Sequence, residues 1–208
     1  RDRLLEINKI AATYYYRQLR SENGKAGLDY LKKRELSDST INSFGLGYAT
    51  QSTGNLYKLL KDKGYDDDIL KESGLFTYER GIHEKFWNRV IFPIGFGGRV
   101  MGDAKPKYLN SPETRLFDKS RNLYGLNIAR MSRKPNMIIC EGYMDVISMH
   151  QAGFNQAVAS LGTALTPGHA RLLKRYTDNV LITYDSDEAG VKAALRAIPI
   201  LKEAGLST

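Results

Sequence analysis

The stretch Ile138-Ile139-Cys140-Glu141-Gly142-Tyr143-Met144-Asp145 is a short apolar run that ends abruptly in an acid. Leu181-Ile182-Thr183-Tyr184-Asp185-Ser186-Asp187-Glu188-Ala189-Gly190 repeats the pattern further along the chain. Each run has the length of a strand, and each is followed by a glycine and a helical pattern. In a parallel sheet the carboxyl ends of the strands open onto the ligand crevice. Glu141 is therefore expected at one strand end, with Asp185 and Asp187 at another. Strand side chains alternate faces, so Asp185 and Asp187 point the same way while the chain stays extended. Three converging carboxylates repel one another unless something positive lies between them. A hard divalent cation, Mg²⁺ or Mn²⁺, suits such oxygen ligands. The plainer reading is that Asp187 caps the helix beginning near Glu188, and that Glu141 before its glycine is an ordinary loop residue.

Working outward, the second half of the chain alternates strictly. The pattern predicts strand 137–141, helix 143–152, strand 156–160, helix 167–176, strand 179–184 and helix 188–204, punctuated by Gly153, Pro167, Asp178 and Gly205. Such alternation implies βαβ crossovers and a mostly parallel sheet. Leu161-Gly162-Thr163-Ala164 marks a third strand-to-loop junction on the same edge, and its small residues leave room for a substrate.

Upstream, charge is unevenly spread. The net charge is +8, of which residues 95–134 carry +6, against +3 for residues 1–94 and −1 for residues 135–208. A concentrated positive stretch attracts the phosphates of a nucleic acid or a nucleotide. Its alternative, a solvated lysine-rich face, fits less well here, because the cations are interleaved with Gly, Pro, Asn and Tyr instead of helix formers. The segment includes Lys105-Pro106-Lys107-Tyr108-Leu109-Asn110-Ser111-Pro112-Glu113-Thr114. Its prolines force extended or turn geometry. Lys107 is a phosphate-binding candidate, Tyr108 can stack on a base, and Asn110 can hydrogen-bond a base or ribose. A helix is predicted over 123–132. Residues 85–94 read as a single aromatic and β-branched strand, followed by glycine-dense strand and turn through Asp103. Gly95-x-Gly97-Gly98 lacks the strand–loop–helix setting of a nucleotide fingerprint.

The opening reads as a compact helical unit. Helices are predicted over 3–20, 25–34, Ser37 to Phe44, Asn55 to Lys63 and Asp66 to Ser73. Its N-terminus is charged and helical rather than signal-like. No run of about 18 apolar residues is present, so no membrane span or membrane partner is expected. The single cysteine, Cys140, excludes an intramolecular disulfide and argues for the cytosol, where it reads as a small buried hydrophobe. His83, His150 and His169 lack zinc-ligand spacing.

Glu141-Gly142-Tyr143-Met144-Asp145 followed by Asp185-Ser186-Asp187-Glu188-Ala189-Gly190 resembles the TOPRIM signature of primases, topoisomerases and certain nucleases. Gly97-Gly98-Arg99, Lys107 to Thr114 and Leu123-Tyr124-Gly125-Leu126 resemble one member only, the bacterial replicative DNA primase of the DnaG type. The resemblance covers nearly the whole chain. It implies an α/β fold, with an α+β basic subdomain over residues 1–134 and a Rossmann-like TOPRIM subdomain over 135–208, truncated at its C-terminus. It further implies a DNA-directed RNA polymerase that condenses ribonucleoside triphosphates into short RNA primers on single-stranded DNA, through two or more Mg²⁺ or Mn²⁺ ions. Glu141, Asp145, Asp185 and Asp187 match its metal-binding acids. Arg34, Arg99, Lys107, Tyr108, Asn110 and Lys119 match its nucleotide- and DNA-binding positions, and Lys107 and Lys119 join the acids Glu141, Asp185 and Asp187 as the implied catalytic set.

The family also implies an RNA–DNA hybrid product, a cytoplasmic place at the bacterial replication fork, and partnership with a replicative helicase and a zinc-binding domain through segments outside this sequence. It places a further acidic motif beyond Thr208 and several more residues between Ile94 and Gly95, so a hairpin loop is expected to be missing from the sequence there. Two rivals stay open. Another TOPRIM enzyme would relax or nick DNA, and a non-catalytic module would bind DNA without metal and without the acids.

Overall fold

The computed structural model describes residues 1–208, which divide into two compact units, Arg1–Phe117 and Asp118–Thr208.

In the first unit, helix α1 (Asp2–Leu19) buries Leu4, Ile7, Ala11, Tyr15 and Leu19, a stripe at helical spacing. Helices α2 (Lys25–Lys33) and α3 (Asp38–Ser43) follow, the latter capped by the Ser37 hydroxyl, which accepts from Thr40 N–H. Strand β1 (Gly47–Ala49) precedes α4 (Asn55–Asp62) and α5 (Asp67–Glu72). A short ribbon pairs β2 (Phe76–Thr77) with β3 (His83–Glu84). A four-stranded antiparallel sheet then joins β1 to β4 (Arg89–Phe92), β5 (Gly97–Val100) and β6 (Tyr108–Asn110), in that order.

Two expectations change. Strand β1 lies inside the stretch read as purely helical. It is too short to show alternation, and it exists because β4 pairs with it and α1 packs on it; a Cβ at Gly47 would fall 2.6 Å from Tyr15 Cβ. The strand expected over 85–94 is confined to Arg89–Phe92, since Asn88 turns at φ +47. Beyond Phe92 the chain closes through Pro93–Phe96, with Gly95 and Phe96 at positive φ, directly onto Gly97 opposite Phe92.

The second unit opens on a 3₁₀ turn at Lys119–Arg121, then α6 (Leu126–Ala129). The helix expected over 123–132 shrinks to this single turn. Tyr124 exchanges backbone hydrogen bonds with Ala159, and Gly125 sits at φ +80, so helix begins only at Leu126. The remaining elements follow the alternation: β7 (Met137–Cys140), α7 (Tyr143–Gln151), β8 (Ala157–Ala159), α8 (Pro167–Lys174), β9 (Val180–Thr183) and α9 (Glu188–Glu203). The sheet order is β8-β7-β9 and both pairings are parallel. Its core gathers Ile139, Val158 and Val180 from the strands with Ala170, Leu173, Ala197 and Leu201 from α8 and α9. Cys140 is buried beside the Thr183 hydroxyl, and burial pushes its thiol pKa up. No helix is long and apolar enough to cross a membrane.

The two compact units divide between Phe117 and Asp118. Leu123 and Ala129 belong to the core of the second unit, and Tyr124 bridges to β8, so 118–134 travels with that unit.

Candidate active site

In the second unit Glu141 ends β7 and Asp185 and Asp187 follow β9, as the crevice rule predicts. Asp185 N–H donates to Glu141 Oε1 at 3.0 Å, tying the two strand ends together. Asp187 is the N-cap of α9, its Oδ1 accepting from Gly190 N–H at 2.7 Å. The plain capping role is therefore real, and it engages only one of the two carboxylate oxygens. Gly190 makes this approach possible, since a Cβ there would lie 2.2 Å from the Asp185 carbonyl oxygen and 2.7 Å from Glu141 Oε1. Asp145 sits in the first turn of α7, where Oδ2 accepts from Gly142 N–H at 3.0 Å and braces the turn after Glu141.

Glu141 and Asp187 share the wall of a cavity of about 300 Å³, which Ser160, Thr163, Tyr184 and Arg196 also line. The Ser160 hydroxyl donates to the Thr163 carbonyl at 2.6 Å and closes the loop after β8. Burial, and secondarily the charge of Glu141, pushes the Tyr184 hydroxyl pKa up, keeping it protonated beside the acids. Asp185 and Asp145 are not among the lining residues. No three His, Cys, Asp or Glu side chains are gathered into a closed metal cage. The donor set nonetheless fits Mg²⁺ or Mn²⁺. Such ions keep several waters and use one or two carboxylates together with substrate phosphates, and Glu141 and Asp187 each keep an oxygen outside the backbone hydrogen bonds just described.

Lys119 lies in the 3₁₀ turn of this same unit. Its carbonyl accepts from His169 Nε2 at 2.6 Å, and the neighbouring Ser120 carbonyl accepts from the Thr166 hydroxyl at 2.6 Å. His169 is fully buried, and its Nδ1 accepts from Thr166 N–H at 3.1 Å. The Lys119 carbonyl can only accept, so Nε2 carries the proton of a neutral ring. Burial lowers the His169 pKa, against the opposing pull of the Lys119 and Asn122 backbone and the Asp118 charge.

In the first unit two of the predicted cations, Arg34 and Arg99, share one ring. Arg99 lies with its guanidinium carbon 4.5 Å from the Tyr30 centroid, and Arg34 approaches the same ring at 5.5 Å. Arg99 Nη1 also donates to the Val100 carbonyl at 2.8 Å. Arg99 pairs across the sheet with Tyr108, and Gly97 with Asn110, so β5 and β6 present these side chains in register. Lys107 is exposed at the start of β6. Its loop is held from below by Arg89, a buried cation whose Nη1 donates to the carbonyls of Gly98 (3.3 Å), Pro106 (3.0 Å) and Lys107 (3.4 Å).

The structure thus brings Arg34, Arg99, Tyr108 and Asn110 onto one sheet-and-helix surface, and Glu141 and Asp187 onto one cavity. Sequence reasoning missed Tyr30, Arg89, His169 and Arg196. Two carried a signal: Arg89 interrupts an apolar strand, and Thr166-Pro167-Gly168-His169 has the spacing of a capping box.

The chain is similar to known proteins along nearly its whole length. Residues 14–130 match the family model "DNA primase catalytic core, N-terminal domain", and residues 138–208 match "Toprim-like". A DNA primase of Clostridium acetobutylicum is 50% identical over 98% of this chain, which spans 36% of that protein's length. A DnaG primase catalytic domain solved bound to single-stranded DNA is 39% identical with a TM-score of 0.87, covering 94% of this chain and 65% of that one. The RNA polymerase domain of Mycobacterium tuberculosis primase DnaG, in complex with a double-stranded DNA oligomer with a 6-nucleotide overhang, is 34% identical with a TM-score of 0.87, covering 95% of this chain and 68% of that one.

Proposed function

This chain belongs to the DnaG-type DNA primase family, and from that premise we propose that it carries the catalytic core of template-directed RNA primer synthesis from ribonucleoside triphosphates on single-stranded DNA. The observation that carries the reading is the pair of strand-end carboxylates, Glu141 and Asp187, opening on one cavity with Asp185 tied beside them. Phosphoryl transfer asks for positioning and charge neutralisation more than for covalent help. Divalent ions, when bound, would activate the attacking hydroxyl and stabilise the departing pyrophosphate.

Glu141 and Asp187 would hold those ions through the oxygens left outside their backbone hydrogen bonds, with Asp185, matched to the same family acids, joining them from beside the cavity. Asp145, also matched to the family's acids, braces the Glu141–Gly142 turn and can join them through a carboxylate oxygen. Arg34 and Arg99, stacked on Tyr30, and the exposed Lys107 supply cations for triphosphate or template phosphates. Tyr108 offers a ring for stacking and Asn110 an amide for base or ribose. Lys119 adds a cation in the second unit, on a turn that His169 holds. Helicase and zinc-domain partnership, and a place at the cytoplasmic replication fork, belong to the same proposal.

The test is equilibrium binding of a ribonucleoside triphosphate, with and without Mn²⁺, to the wild type and to Glu141→Gln, alongside primer synthesis on a single-stranded template. Glutamine keeps an acceptor for Asp185 N–H, so the fold should survive. Metal-dependent binding that Glu141→Gln loses supports the reading. Binding indifferent to metal and to the substitution would refute the acidic site and leave a nucleic-acid-binding core.

A further inference from the structure

The cavity beside the acids holds a cation that no neighbour uses. Arg196 lines it, is exposed, and makes no hydrogen bond or ion pair within the protein. Helix α9 contributes Ala189, Gly190, Ala193, Arg196 and Ala197 to the wall, positions three and four apart that share one face. Of these only Arg196 is long, so the small residues leave an open floor that a single guanidinium overlooks. Helical side chains lean toward the helix N-terminus, which is the Gly190 end, against which Glu141 Oε1 rests. From Gly190 to Arg196 is roughly 9 Å along the axis at about 1.5 Å per residue. The cavity therefore has an acidic end, suited to a metal, and a cationic end one to two turns away. Across from α9, Ser160 and Thr163 form a wall already closed on itself by their own hydrogen bond.

A metal-binding site made of carboxylates alone holds the inner oxygens of a polyphosphate and repels its outer ones. An arginine at the far end removes that repulsion, because its planar fork offers two parallel N–H donors to a phosphate. We propose that Arg196 is a phosphate ligand, and that this cavity takes inorganic pyrophosphate and the terminal phosphates of a nucleoside triphosphate between Arg196 and the metal-holding acids. The inference rests on the reading of Glu141 and Asp187 as metal ligands.

It is tested by titrating inorganic pyrophosphate, with and without Mn²⁺, into the wild type and into Arg196→Gln, Arg196→Lys and Glu141→Gln. Mn²⁺ affinity and single-stranded DNA affinity are measured on the same proteins. Arg196→Gln should weaken pyrophosphate about tenfold or more, the loss of one charged hydrogen-bonding partner. Arg196→Lys should fall between, and Mn²⁺ and DNA affinities should not change. Arg196 is exposed, so folding is not at stake. If Arg196→Gln binds pyrophosphate like the wild type while Glu141→Gln does not, the assignment of Arg196 is wrong and the acidic site stands. If Arg196→Gln loses DNA affinity by the same factor, the arginine serves a strand backbone and the proposal is overturned. Pyrophosphate binding indifferent to Mn²⁺ and to every substitution would overturn both readings.

Discussion

Replacing His169 with phenylalanine isolates what the buried imidazole does for Lys119. Phenylalanine fills similar space but can neither accept from Thr166 N–H nor donate to the Lys119 carbonyl, the bonds at 3.1 and 2.6 Å. A buried backbone group left without its partner costs about 1–3 kcal/mol, so losing two predicts a deficit of about 2–6 kcal/mol at pH 7.5. The same ring predicts acid sensitivity. His169 is held below its ordinary pKa by burial, and so is His150, whose Nε2 bonds the Ala157 carbonyl at 2.8 Å. Below about pH 6.5 the unfolded chain takes up protons that these folded residues refuse. Their contribution to stability is therefore complete above that pH and is lost as pH falls toward their lowered folded values. Each costs up to about 1.4 kcal/mol at pH 5.5. Urea denaturation followed by circular dichroism at pH 7.5 and 5.5 measures both effects. His169→Phe should start less stable and lose less on acidification. Equal stability at pH 7.5, or a wild type no weaker at pH 5.5, would refute the neutral, doubly bonded imidazole.

Gly190→Ala would place a methyl against the Asp185 carbonyl oxygen and Glu141 Oε1, and overpacking of that kind should cost about 1–3 kcal/mol; an unchanged urea midpoint would show that α9 does not press on the acids. Lys107→Ala should weaken single-stranded DNA binding and reduce the log–log salt slope by about 0.7, the share of one phosphate contact, whereas a salt-independent defect would mean the loop itself was damaged. Glu35 ends α2 at φ +60, with its N–H on the Lys32 carbonyl and Leu36 N–H on the Leu31 carbonyl. Glycine is the favoured residue at such a helix end, so Glu35→Gly should raise stability by about 0.5–1 kcal/mol in the same denaturation assay.

The sequence by itself determined the parallel half of this protein and the position of its acids. Short apolar runs alternating with amphipathic helices leave one arrangement, and in that arrangement Glu141, Asp185 and Asp187 fall at strand ends. Each of those inferences needs only neighbours a few residues apart. The helix starts at Ser37 and Asp187 were legible for the same reason, since a cap is a local bond. Tertiary structure decided what local pattern cannot carry. Strand β1 is three residues long and exists because β4 pairs with it. Tyr30 comes to lie by both Arg34 and Arg99 only when α2 packs near β5. The His169 ring reaches the Lys119 carbonyl fifty positions away in sequence, and Arg196 reaches the cavity of Glu141 because α9 turns that face toward the loop after β8. Such contacts join residues whose spacing along the chain has no period, so only the folded backbone brings them together.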